Sequence, residues 1–298
     1  MKILITGANG LLGQHLLSIL QHSDHDVVAT GKGDFRIPIK LSNRLQYFSL
    51  DITNENDWHL LATKIDRLDA VIHCAALTQV DFCEQHQQET DQVNVLGTEL
   101  AARFSQSFAA HFIFISTDFV FDGTTGMYTE TDPVNAVNYY GTSKIKGERL
   151  AYNYPGNWSI IRTCLVFGNV LVGTRSNIIS WVKESLEQNK PIKVVSDQVR
   201  TPTYVKDLAL GILACVTQKA GGVFHVSGEE ILTPYDMAMK TVDYFNLDGS
   251  LITKVNANTF TQPGQRPLKT GFNISKAKNE LGYSPISFQD AIRDMMNQ

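Results

Sequence analysis

Tyr140 and Lys144 stand four residues apart in Tyr140-Gly141-Thr142-Ser143-Lys144, a spacing that puts a phenol and an ammonium on one face of a helix. A cation beside a phenol favours the phenolate and lowers its pKa. Tyr140 can then deliver a proton near neutral pH, while Lys144 also bonds a cofactor ribose. Upstream, the apolar run Phe112 to Ile115 ends in Ser116-Thr117-Asp118, where Thr117 is placed to hold a substrate oxygen. Near the start, Ile3-Leu4-Ile5-Thr6 runs into Gly7-Ala8-Asn9-Gly10-Leu11-Leu12-Gly13. Its glycine spacing is GxxGxxG, and such a turn lets backbone N–H groups and a helix N-terminus approach a diphosphate without a Cβ in the way. A glycine triplet alone also fits a tight turn with no ligand. Joined to the hydroxyl, phenol and ammonium, it describes a site that polarises a carbonyl while a nicotinamide supplies hydride to its carbon.

The residue at the tip of the second strand selects between the two nicotinamide dinucleotides, because a carboxylate there bonds a ribose 2′-OH and repels a 2′-phosphate. Here the strand ends Val28-Ala29-Thr30-Gly31-Lys32, with no acid and a lysine beside it. NADP is therefore preferred slightly over NAD, although a merely solvated Lys32 fits the same sequence. Asp51 can accept from the adenine amine or cap the helix that starts near Asn54.

Short apolar runs (Lys2 to Thr6, Val27 to Thr30, Tyr47 to Leu50, Ala70 to Cys74, Phe112 to Ile115) alternate with helix-period stretches such as Leu11 to Leu20 and Trp58 to Ile65. Continuously apolar strands separated by helices predict a parallel, doubly wound sheet buried on both faces. A long helix is expected from Val137 to Asn153, then a strand from Trp158 to Thr163. Beyond it, helices are expected at Asn177 to Gln188, Tyr204 to Thr217, Pro234 to Phe245 and Phe288 to Met296, with strands at Ile192 to Val195 and Val223 to Val226. The expected division is a dinucleotide-binding domain over 1–164 and a mainly substrate-binding lobe over 165–298, with segments of about 192–227 returning to the sheet.

Composition narrows the class. The 298 residues are 43% hydrophobic and carry a net charge of −4, enough apolar material for a core and no basic stripe for nucleic acid. No apolar run reaches bilayer length, and Met1 leads into a strand instead of a charged region and cleavable apolar stretch. Cys74, Cys83, Cys164 and Cys215 form no CxxC pair, which points to a reduced, cytoplasmic setting. His22 and His25 lie three apart and His73 sits in a strand, without ligands at metal spacing, so no metal is assigned.

These motifs, taken in order, resemble the extended short-chain dehydrogenase/reductase superfamily, and within it the dTDP-4-dehydrorhamnose reductase family. The likeness is carried by Thr6 to Gly13, Cys74-Ala75-Ala76 with Val80-Asp81 and Glu84, Asn94, Ser116 to Gly123, Glu130-Thr131-Asp132, Asn138 to Lys144 with Gly147-Glu148, Arg162-Thr163, Phe167-Gly168, Asp197-Gln198, Thr201-Pro202-Thr203, Asp207-Leu208 and Arg266-Pro267. The resemblance implies a Rossmann-like domain, a C-terminal substrate lobe and reduction of a 4-keto-6-deoxy sugar carried on a nucleoside diphosphate. It makes Tyr140 the proton donor, Lys144 its activator and Thr117 the carbonyl ligand. Cofactor contacts are expected at Gly7, Asn9, Gly10, Leu11, Leu12, Gly13, Lys32, Asp51, Ile52, Ala75 and Ala76, and substrate contacts at Phe119, Leu165, Gln198 and Arg266. A homodimer is left open as the assembly.

The chain departs from the family pattern at Phe119, usually Tyr, at Leu165, usually Trp, and at Ala136, usually Pro. The first two remove a hydroxyl and an aromatic face that a sugar would use. Dehydratases of this superfamily carry Asp-Glu after the strand-end Thr; here Asp118 precedes Phe119, which disfavours elimination. Epimerases share the Tyr and Lys, but the run Thr117 to Gly123 leans toward a reductase. The resemblance also extends to the regulatory β subunit of methionine adenosyltransferase, a binding protein without turnover. Arg162 fits a buried ion pair or a ligand contact, Arg266 a diphosphate contact or a solvated charge, and Asp197 with Gln198 a sugar contact or a turn.

Overall fold

The computed structural model describes residues 1–173 and 176–297. Six strands lead the chain: β1 (Lys2–Thr6), β2 (Asp26–Gly31), β3 (Leu45–Ser49), β4 (Ala70–His73), β5 (His111–Thr117) and β6 (Trp158–Thr163). They are followed by β7 (Val166–Phe167), β8 (Ile192–Val195), β9 (Thr203–Tyr204), β10 (Gly222–His225) and β11 (Ile252–Val255). Between the early strands run α1 (Leu11–Leu20), α2 (Glu55–Ala62), α3 (Val80–Gln85), α4 (Gln87–Asp91), α5 (Gly97–Ser107) and α6 (Tyr139–Tyr152). Later come α7 (Ile178–Glu187), α8 (Val205–Gln218), α9 (Pro234–Phe245), α10 (Ser275–Leu281) and α11 (Phe288–Met296).

Among the described residues a seven-stranded sheet forms in the order β10-β6-β5-β4-β1-β2-β3, every pair parallel. Alternate strand residues serve opposite faces. Ile3 and Ile5 pack with Leu16, Leu17 and Leu20 of α1 and Leu208 and Ile212 of α8, whereas Leu4 packs with Trp58 of α2, Leu100 and Phe104 of α5 and Ala151 of α6. This two-sided burial explains the unbroken apolar runs. Strand order reverses between β1 and β4, and in open parallel sheets ligands bind outside the carboxyl ends at such a switch point.

The later segments sort differently from expectation. Of the 192–227 stretch, Gly222–His225 extends the sheet beside β6, whereas β8 pairs with β11 in a separate two-stranded sheet. The reason is visible in β8: Ile192 and Val194 are buried but Lys193 between them is exposed, a one-faced pattern that a doubly covered sheet cannot hold. α7, α9, β8 and β11 close around their own apolar cluster of Val182, Leu186, Val194, Ala238 and Val242. This part docks on the sheet through α1, where Gln14 accepts from the Leu171 and Val172 amides at 2.7 and 3.1 Å and the His15 ring meets the Asn169 carbonyl at 2.8 Å. No helix among the described residues is long and apolar enough to cross a membrane.

Candidate active site

The glycine turn sits at the switch point. Gly7 has φ +69°, and a Cβ there would stand 2.8 Å from the Ala75 amide nitrogen at the end of β4, so both handedness and close approach require glycine. Gly10 is exposed as the N-cap residue of α1, with an ordinary φ of −79° and no side chain to occupy the free N–H groups behind it. Ala75 donates its amide to Thr6 Oγ1 at 3.2 Å, and Thr6 also meets the His73 ring at 2.9 Å, tying β1 to β4 beneath the crevice. Burial holds His73 neutral, its pKa pulled down to about 3, with the Lys144 charge adding to the effect.

At the far end of this crevice, Asn9 reaches sideways. Its amide donates to the Asp34 carbonyl at 3.0 Å and its oxygen accepts from the Arg36 amide at 3.2 Å, fastening the loop after β2 over the turn. Lys32 is exposed and paired with Asp51 at 2.8 Å; hydrogen bonding to that ammonium, then burial acting in opposition, leaves the Asp51 carboxyl below its usual range. Asp51 does not cap α2, because Asn54 does so by accepting from the Asn56 amide at 3.1 Å. Ile52 is buried, and its Cδ1 would meet any Cβ placed at Gly97.

The hydroxyl, phenol and ammonium come from two adjacent elements. Thr117 closes β5 and caps the short turn Asp118–Val120, its Oγ1 accepting from the Phe119 amide at 3.2 Å. α6 starts two residues later than the expected Val137 because Asn138 caps it, accepting from the Gly141 amide at 2.9 Å. A Cβ on Gly141 would fall 2.1 Å from the Phe119 carbonyl oxygen, so glycine lets α6 press onto the Thr117 turn. Tyr140 thereby sits edge-on to Phe119, ring centroids 6.1 Å apart. Lys144, one helical turn on, is buried with its Nζ 4.1 Å from the Phe114 ring centroid. Burial draws its pKa down to about 8, with Glu148 and the thiols of Cys74 and Cys83 pulling back upward.

Asn94 holds this helix in place. It lies in a single π-helical turn, Gln92–Leu96, a distortion common at functional sites. Its oxygen accepts from the Leu77 amide at 2.8 Å, and its amide donates to the Leu77 carbonyl at 2.9 Å and to Ser143 Oγ at 3.0 Å. Ser143 passes the link to the Tyr140 carbonyl at 2.7 Å. The motif pattern names Asn94, but its part in the site follows only from the fold.

A cavity of about 510 Å³ opens beside the turn, between α1, the β6–β7 connection, α7 and β8. Leu11, Leu165, Phe167, Gly168, Asn177, Trp181, Lys193, Gln198 and Pro234 line it. Leu165 has a left-handed φ of +40° and remains exposed at the rim. Trp181 and Lys193 were not singled out from the sequence; their signal is exposure between buried neighbours, Ile179 and Val182 for the first and Ile192 and Val194 for the second. Phe119 and Arg266 do not line this cavity. Arg266 makes a two-pronged ion pair with Asp81 of α3, and Asp81 also accepts from the Gly264 amide at 3.1 Å, so this arginine anchors its own loop. Arg162 forms a buried pair with Glu148 at 2.8 Å, which Ser116 joins at 2.6 Å. Asp197 accepts from the Ala257 amide at 2.9 Å, tying the segment after β8 to the segment after β11. Among the described residues no cluster of three metal-ligating side chains forms.

Comparison with known proteins gives the family. The chain is 30% identical over 297 residues to the probable low-salt glycan biosynthesis reductase Agl14 of Haloferax volcanii, covering 97% of this chain and 95% of that one. It is also 30% identical to methionine adenosyltransferase 2 subunit beta of Danio rerio, covering 99% and 90%. The crystal structure of a Bacillus anthracis dTDP-4-dehydrorhamnose reductase in complex with NADP superposes with a TM-score of 0.84 at 26% identity, over 99% of this chain and 98% of that one. Residues 1–298 match the family model described as the RmlD substrate binding domain, and the chain belongs to that family.

Proposed function

We propose that this protein is an NADPH- or NADH-dependent reductase of a 4-keto-6-deoxy sugar carried on a nucleoside diphosphate. What supports the reading is the close contact between the turn of α6 that carries Tyr140 and Lys144 and the turn that follows Thr117 at the carboxyl edge of β5, in a sheet whose switch point holds the glycine turn. When bound, the dinucleotide supplies hydride to the keto carbon. Thr117 holds the keto oxygen, Tyr140 gives it a proton, and Lys144 lowers the cost of the phenolate left behind. The apolar cavity beyond Leu165 takes the rest of the ligand, with Lys193 as a cation for its phosphates and Gln198 as a polar contact.

For the cofactor, the acid-free tip of β2 favours NADPH. Lys32 must leave Asp51 to meet a 2′-phosphate, and Arg36, whose amide Asn9 holds, is a second cation on the loop after β2. The defining test is NADPH oxidation with a panel of nucleoside-diphosphate 4-keto sugars, with Tyr140→Phe as the control. Turnover with at least one ketone, abolished in the control, is the expected result. Apolar side chains at Phe119 and Leu165, together with the methionine adenosyltransferase β relative, favour a second reading as a dinucleotide-binding regulator. Tight NADPH binding with no turnover of any ketone selects that reading. Sedimentation of the purified chain distinguishes a monomer from the homodimer that the sequence leaves open.

A further inference from the structure

The carboxyl group next to Thr117 is enclosed in an arrangement that the proposed reaction does not explain. Asp118 is buried, and its two oxygens have unequal company. Oδ2 receives the Thr270 hydroxyl, the Cys164 thiol at 3.3 Å and the Arg200 guanidinium at 3.7 Å. Among the described residues Oδ1 receives one donor, the hydroxyl of Thr117 at 3.1 Å.

A threonine hydroxyl has one proton to give. Thr117 Oγ1 already accepts from the Phe119 amide at 3.2 Å and points its proton at Asp118. In that state it cannot donate to a keto oxygen. Turning the proton toward substrate leaves Oδ1 of a buried carboxylate without a donor, an expensive outcome in a low-dielectric site. The conflict disappears if Asp118 is itself protonated on Oδ1, for it then donates to Thr117 Oγ1 and frees the Thr117 proton for the ligand. Oδ2 keeps the Thr270 and Cys164 hydrogen bonds and the nearby Arg200 charge, which directs the added proton to Oδ1.

We propose that Asp118 is a positioning residue: it takes up one solvent proton when a carbonyl ligand binds and so turns Thr117 into a hydrogen-bond donor toward that carbonyl. The inference rests on the reading of Thr117 as the ligand of the keto oxygen. The proton stays on Asp118 through the reaction, and the proton that completes the alcohol still comes from Tyr140. The ionisable groups facing Asp118 are Arg200 from the segment before β9 and Cys164 from the end of β6. Burial raises the Asp118 pKa against the opposing pull of Arg200, and burial likewise holds the Cys164 thiol well above its usual range and neutral. The Arg200 guanidinium is fixed independently by the Val199 and Leu268 carbonyls at 2.9 and 3.0 Å and by Pro267, so it stays when Asp118 loses charge.

Two measurements test this. The first is proton uptake on titrating a nucleoside-diphosphate 4-keto sugar into the NADP⁺-loaded enzyme, which binds without turning over, by calorimetry in buffers of different ionisation enthalpy. About one proton per ligand is expected for the wild type above the Asp118 pKa and none for Asp118→Asn, whose amide donates to Thr117 at every pH. The second is kcat/KM against pH. Asp118→Asn should stay within about threefold of wild type at the acid end of the profile, where wild-type Asp118 already carries its proton, and should lose the lower descending step, whereas Asp118→Ala should fall about tenfold to a hundredfold there, as for a stranded buried partner. A residue that merely anchors Arg200 would make the Asn and Ala variants equally poor with unchanged pH profiles, and that result overturns the proposal. Ketone binding with no proton uptake overturns it alone. No ketone binding at all, or full activity in Thr117→Ala, removes the functional reading and this inference with it.

Discussion

The half of the molecule that carries β1 to β6 and the half that carries the cavity build their parts of the site in different ways. In the first, every group of the proposed site hangs from a strand end or a helix turn: Gly7 and Gly10 from the β1–α1 junction, Thr117 from β5, Tyr140 and Lys144 from α6. Their positions follow from backbone periodicity and from close contacts such as Gly141 on the Phe119 carbonyl. In the second, Leu165, Asn177, Trp181, Lys193 and Gln198 reach one cavity from separate segments joined only by tertiary packing. The proposed chemistry is held by adjacent elements of one sheet, and the proposed recognition by a helix, a strand and two connections that only packing brings together. A substitution in the first half should therefore change turnover or cofactor binding, and one in the second should change the ligand.

The largest effect is expected at Tyr140. Tyr140→Phe removes the proton donor and keeps the ring against Phe119, so kcat should fall about 10²- to 10⁴-fold while NADPH affinity, read by fluorescence titration, stays unchanged. Unchanged kcat would take the phenol out of the mechanism. The glycine turn comes next. Gly10→Val adds a side chain at an ordinary φ and in the open, with Gly7 O at 3.2 Å as its nearest neighbour, so the chain should fold while NADPH Kd rises about a hundredfold, near 3 kcal/mol. Gly7→Val should instead cost the fold, since its Cβ runs into backbone at a left-handed φ. Wild-type affinity in Gly10→Val would move the diphosphate elsewhere.

Lys144 gives a pH signature to the same half. Burial has brought its pKa to about 8, so the ammonium proposed to steady the phenolate is present below that pH and lost above it. Loss of that ammonium should accordingly add a further fall of about tenfold per unit in kcat/KM beyond about pH 8. Lys144→Arg, whose charge persists, should carry the fall to higher pH, and Lys144→Met should lower both turnover and cofactor affinity. A flat profile between pH 7 and 9 would deny the ammonium any part in the reaction.

The contrast between the halves also explains what was legible in the sequence. β1, α9 and α11 lie where their residues predict, because unbroken apolar runs, a 3.6 period and the Thr233-Pro234 cap are local signals. α3, α4 and the π turn before α5 were not anticipated: their segment is short, polar and broken, and Asn94 matters only through Leu77 and Ser143, which lie 17 and 49 residues away. Arg266 and Lys32 read as cations for phosphates, yet each has a carboxylate, Asp81 or Asp51, that no spacing rule brings next to it. The expected return of Ile192–Val195 to the sheet failed for the opposite reason, since the alternating exposure at Lys193 was there to be read.

The smallest effect lies at the cavity rim and separates the halves most cleanly. Leu165 stands at φ +40° and is already exposed, so Leu165→Trp keeps the Cβ direction and adds an aromatic face without entering the core. If a sugar ring passes that rim, stacking worth about 0.5–1.5 kcal/mol should lower its KM about two- to tenfold. NADPH affinity should not move, because the cofactor turn reaches the cavity through Leu11 and not through the β6–β7 connection. A matching change in NADPH Kd would mean that the two halves share one binding surface, and a rise in KM would mean that the rim is closed around a ligand smaller than a sugar nucleotide.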